Sequence, residues 1–162
     1  MKARPRAVEN RVADALNEHF KALDVSQVER IPVLGRTGPD ISLNELRLVV
    51  DVKSRKEVPK AIFFPLIGPF TFDGLVAVRL CNLPTLWDRN WSPALLGYSS
   101  KMITDYLEHM DEWTQAHAKD GVSCVILHRP EMPIGSSVVV IHSTSRRRLF
   151  DYAERYAIDH PR

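Results

Sequence analysis

Gly38-Pro39-Asp40 and Asp51-Val52-Lys53, separated by the ten residues 41–50, decide how this chain is read. Ile41 to Leu43 and Leu46 to Val52 read as two strands joined at Asn44-Glu45. In the second, Leu46, Leu48, Val50 and Val52 alternate with Arg47, Val49, Asp51 and Lys53. The run is apolar enough for a central strand of a sheet. Asp51 and Lys53 are two apart, so they project from one face. A turn at Asn44-Glu45 returns the chain antiparallel and sets Asp40 across from Val49, close to Asp51. Two carboxylates that near repel unless a cation lies between them. Hard oxygen ligands suit Mg²⁺, with Mn²⁺ as a substitute. An adjacent ammonium can orient or deprotonate a water, or steady charge developing on phosphorus. These are the parts that hydrolysis of a phosphodiester needs.

Working outward, the spacing predicts a helix over about Arg6–Leu23, with Glu9, Ala13, Leu16 and Phe20 on one face and Val8, Val12 and Ala15 beside it. Glu9 then stands at the inward edge, a candidate third carboxylate of the site, with Glu18 as its rival. Val28 to Leu34 reads as a strand, ending in the turn Gly35-Arg36-Thr37-Gly38. Residues 58–97, rich in Pro, read as an irregular insertion with one strand, Leu75 to Leu80. An ordered loop of that length usually has a function. Ser99 or Ser100 caps a helix to about Lys119, with Ile103, Tyr106, Leu107, Met110 and Trp113 inward and Asp105, Glu108, Asp111 and Glu112 outward. Strands over Val122–Leu127 and Ser137–Ile141 follow. A last helix runs from after Ser143-Thr144-Ser145 to about Ala157. The expectation is one α/β domain over 1–162, a mixed β-sheet flanked by helices.

These residues resemble the PD-(D/E)XK nuclease superfamily, and within it the archaeal-type Holliday junction resolvases. Those carry an N-terminal helix with a glutamate, a Gly-rich turn, Gly-Pro-Asp-Ile, and a strand ending in acid-X-Lys-Ser. Here the same features read Glu9, Gly35 to Gly38, Pro39-Asp40-Ile41 and Asp51-Val52-Lys53-Ser54. The likeness covers about the first third of the chain. It departs in having Asp51 where resolvases usually have Glu, and a Pro-rich stretch where several relatives place a glutamine-bearing helix. The resemblance implies a restriction-endonuclease-like sheet and a Mg²⁺-dependent endonuclease cutting DNA, branched DNA first, in recombination or repair. Asp40, Asp51 and the Val52 carbonyl would bind the metal, helped by Glu9, while Lys53 positions the attacking water. Junction resolution further implies a homodimer, because two symmetric cuts need two sites. The alternatives are a restriction or repair nuclease on another DNA structure, and a non-catalytic DNA-binding subunit on the same fold.

Composition agrees with a soluble globular chain. It has 162 residues, 44% hydrophobic and 26% charged, with a net charge of +2. So small an excess does not itself point to nucleic acid; placement of the charges must. Arg36, Ser54, Arg55, Lys56 and Lys60 flank the proposed site and are read as DNA contacts. Arg146, Arg147 and Arg148 open the last helix, where positive charge opposes the macrodipole. They are read as phosphate ligands whose removal would not harm folding. Trp87 and Trp91 read as satellite core, and His128 and His142 as structural neighbours across two strands. Two cysteines suggest reduced, buried thiols in a cytoplasmic protein. The N-terminus lacks a signal-peptide core, and no apolar run approaches a membrane span. No P-loop or G-x-G-x-x-G motif supports a nucleotide cofactor.

Overall fold

A computed structural model describes residues 8, 10–12, 14–15, 29–30, 41–43, 47–63, 69–87, 92–97 and 99–159. Its centre is β7 (Val122–His128), Val-Ser-Cys-Val-Ile-Leu-His, in which every residue is buried. A strand rich in branched apolar residues and buried on both faces belongs inside a sheet. β3 (Leu48–Ser54) lies parallel along one side of it, with Asp51 paired to Val125 and Lys53 to Leu127. β8 (Val138–His142) lies antiparallel along the other. β2 (Ile41–Leu43) and β1 (Glu29–Arg30) extend the sheet beyond β3. β5 (Leu75–Arg79), β4 (Phe70–Phe72) and β6 (Ala94–Leu95) extend it beyond β8. The order is β1-β2-β3-β7-β8-β5-β4-β6. Six strands of three or more residues make a mixed sheet, and a two-residue strand closes each edge.

Alternation splits the core into two layers. Leu48, Val50, Val52, Cys124, Ile126, Val139 and Ile141 share one face with Val8, Val12 and Leu149. Leu149 belongs to α2 (Arg146–Asp159). Val49, Val125, Leu127, Val138 and Val140 share the other with Ile103, Leu107 and Met110 of α1 (Lys101–His117). The architecture is therefore α/β, a mixed sheet covered on both faces. Among the described residues no helix is long and apolar enough to cross a membrane.

Three expectations need correction. β2 and β3 pair two residues out of the expected register, Ile41 with Val50 instead of Leu48. The connection is longer than Asn44-Glu45, since Leu43 pairs with Leu48 and Arg47 turns the chain at φ 55°. A slip of two leaves every side chain on its expected face. Second, the 58–97 stretch is not loop around one strand. It supplies β4, β5 and β6 and two 3₁₀ segments, Lys60–Phe63 and Leu80–Trp87. Third, His128 and His142 sit at opposite ends of the β7–β8 ladder, whose pairs run from Val125–Val140 to Leu127–Val138.

The β4–β5 hairpin turns on Asp73-Gly74, with φ of 50° and 73°, the backbone of a two-residue turn that needs φ above zero at both positions. The same turn starts α1. The Asp73 carboxylate accepts from the Ser100 amide at 2.7 Å, and the Ser100 hydroxyl accepts from the Ile103 amide. Asp73→Ala is expected to cost about 1–2 kcal/mol, combining the lost bond with a left-handed alanine. The check is a lower urea midpoint at unchanged slope. At the far end of α1 the chain passes Gly121, where a Cβ would meet the Ala118 carbonyl oxygen at 2.9 Å and Val49 Cγ2 at 3.2 Å. That close approach lets β7 enter beside β3, with the Val122 amide donating to the Arg47 carbonyl.

Candidate active site

β3 grows more polar along its length, Leu-Val-Val-Asp-Val-Lys-Ser, and its burial falls in step. Asp51 and Lys53 continue the row begun by Val49, on the α1 face of the sheet. Lys53 Nζ lies 3.1 Å from Asp51 Oδ2, with the side chains 28% and 15% exposed. The ammonium also stands 5.5 Å from the centre of the Tyr106 ring, on α1. An aromatic face attracts a cation, so the ring helps fix where the ammonium rests. Their strand neighbours Val125 and Leu127 are fully buried. The pair therefore has an apolar floor and an open rim, where a charge interacts more strongly than it would in free water. The Asp51 charge is felt through the sheet. The Cys124 thiol is pushed up to about 12, first by burial and then by Asp51. Cys124 stays protonated and offers no thiolate. Cys81, expected to be buried, is exposed.

The chain leaving Lys53 is held by the end of β7. The Ser54 hydroxyl bonds His128 Nδ1 at 2.9 Å, and His128 Nε2 lies 2.9 Å from the Met132 carbonyl oxygen. A carbonyl only accepts, so Nε2 donates to Met132, while the Ser54 hydroxyl, able to donate or accept, completes the bond at Nδ1. The Arg55 amide donates to the His128 carbonyl at 3.0 Å. Arg129 donates to Glu131 through Nε at 2.5 Å, and from Nη1 to the carbonyls of Lys56 and Val58, both at 2.6 Å. The hydrogen bond from Arg129 is the first cause that holds the Glu131 carboxyl below its ordinary range. Sequence reading passed over Arg129. Its only signal was its place, one residue past a strand and just before Pro130-Glu131.

Arg55, Lys56 and Lys60 are exposed around this rim. Asp40, Glu9 and Arg36 lie outside the described residues, as does Trp91. Val8 and Val12, neighbours of Glu9, pack on the sheet face opposite Asp51 and Lys53. Among the described residues no three His, Cys, Asp or Glu side chains come together to hold a metal ion. Asp51 supplies one hard oxygen donor group there. Its Oδ2 lies against the Lys53 ammonium.

The basic triplet is not a free cluster. Arg146 donates from Nε to the Leu86 carbonyl at 2.8 Å, and a second donor lies 3.4 Å from the Thr85 carbonyl. Its guanidinium also covers the Phe150 ring. Arg148 donates to the Gly121 carbonyl at 3.3 Å. Arg147 is exposed. The expectation that folding ignores all three is thereby corrected. Arg146→Ala should cost about 1.5–3 kcal/mol, because charge-assisted bonds to part-buried carbonyls are lost. Arg147→Ala should stay within about 0.5 kcal/mol of wild type in the same denaturation experiment. Asp111 is likewise not an outward charge. It bonds His142 Nε2 at 2.6 Å and ties α1 to the end of β8.

Compared with protein-family models, curated proteins and solved structures, the chain matches none of them.

Proposed function

We propose that this chain is a metal-dependent DNA endonuclease of the PD-(D/E)XK type, acting on branched DNA. The reading is carried by one observation: Asp51 and Lys53 held side by side at 3.1 Å, at the polar end of an internal strand with an open rim. The residues are suited to a hard cation, since the Asp51 carboxylate brings the oxygen donors that such a cation takes. Asp40, Asp51 and the Val52 carbonyl would hold Mg²⁺. When bound, it would supply Lewis-acid activation of a water and charge neutralisation at the scissile phosphate. Lys53 donates to the attacking water and meets the charge that develops on the phosphate oxygens. Tyr106 and Asp51 keep the ammonium in place between turnovers. Arg55, Lys56 and Lys60 take the flanking phosphates.

The experiment is cleavage of labelled four-way junction, fork, duplex and single strand with Mg²⁺ or Mn²⁺. Paired nicks across the junction, and a dimer by light scattering, are the expected result. Preferred cutting of another structure would move the protein to the restriction or repair class. Binding with no cleavage of any substrate would leave only the DNA-binding subunit.

A further inference from the structure

Residues 55–60 form a strap that leaves β3 and enters the 3₁₀ segment Lys60–Phe63. Of its first four residues, Arg55, Lys56 and Glu57 are exposed and only Val58 is buried. Val58 anchors one end in the core, and side-chain packing fixes little of the path of 55–57. The path is fixed from outside. Arg129, with a side chain only 13% exposed, spends both Nη1 hydrogens on the carbonyls of Lys56 and Val58. Glu131 holds Nε and so aims the fork. The neighbouring His128 carbonyl takes the Arg55 amide. A guanidinium offers donors in a rigid plane, which an ammonium does not reproduce. We infer that Arg129 is a positioning residue that splints the 55–60 strap into a phosphate-binding surface beside Lys53. The inference rests on the DNA-cleaving reading above and adds the element that shapes its substrate surface. The strap carries Arg55, Lys56 and Lys60 against a single Glu57, so what it fits is a polyanionic backbone.

Two roles for Arg129 differ in what they predict. A direct phosphate ligand acts by charge, which Arg129→Lys keeps. A splint acts by geometry, which Arg129→Lys loses. The probes are a labelled duplex and a labelled four-way junction, bound in EDTA so that no cleavage intervenes. Arg129→Lys and Arg129→Ala are each expected to weaken binding by roughly tenfold. The Lys56→Ala/Lys60→Ala pair should lower the salt slope by about two. Adding Arg129→Ala to that pair should weaken binding by much less than tenfold, because only Arg55 is then left for the splint to position. Hydrogen exchange at the amides of 55–58 should quicken in both Arg129 variants. Wild-type affinity in Arg129→Lys, additive losses in the triple variant, or unchanged exchange would each overturn the inference. Should Arg129→Ala fail to fold, Arg129→Lys carries the test. If the wild type binds neither DNA, the nuclease reading falls and takes this surface with it. If it binds and only the Arg129 arms fail, this inference alone falls.

Discussion

Asp51→Asn is expected to abolish DNA cleavage, lowering the rate at saturating DNA by at least about 10³-fold, while DNA affinity holds or rises. The amide is the same size and still accepts from Lys53, so the strand end keeps its shape. What disappears is the charge. On the proposed reading a hard cation would lose its described carboxylate, and a factor near 10³ corresponds to about 4 kcal/mol of barrier. The DNA backbone meets one negative charge fewer, which accounts for the retained or tighter binding. Stability should change by less than about 1 kcal/mol, since Lys53 remains hydrated at 28% exposure. Single-turnover cleavage and binding in EDTA, run on the same preparation, check both halves. Cleavage at the wild-type rate would end the assignment of Asp51 as a metal ligand.

Lys53→Ala is the second large effect, a loss of about 10²–10³-fold in rate with metal affinity nearly kept. Removing the ammonium leaves the Asp51 charge over the apolar floor without its partner 3.1 Å away. A divalent cation compensates that charge, so metal binding should persist when read by calorimetry. The Tyr106 ring loses the cation above it and nothing else that the fold requires. Retention of the wild-type melting temperature within a few degrees separates the two possible roles. A variant that no longer folds would make Lys53 a structural ion-pair partner, and the catalytic role would go.

Much of this was readable because the long elements follow one period each. β3, β7 and β8 alternate or run wholly apolar, and α1 keeps Ile103, Leu107 and Met110 on one face. That Asp51 and Lys53 share a face follows from strand geometry and needed no tertiary information. The register of β2 did, because Arg47 adopts a left-handed backbone that its side chain does not advertise. Residues 58–97 were opaque for another reason. β4 has three residues and β6 two, too few to display alternation, although the Asp73-Gly74 pair is itself a hairpin signal. The roles of Asp111, Arg129 and Arg146 depend on elements far off in sequence, with partners 31, 71 and 60 residues away. Periodicity places such side chains on a surface and is silent on what covers it.

The parallel pairing of β3 with β7 bears also on how the molecule is made. Ser54 meets His128 across 74 positions of chain. The strand bearing Asp51 and Lys53 leaves the ribosome long before its neighbour exists, and contacts so distant are slow to close. Until Val122 to His128 arrive, one margin of β3 presents bare amides and carbonyls to any other nascent strand. Through that interval β3 has only β2 beside it, and the sheet that sets Asp51 and Lys53 over Val125 and Leu127 closes last.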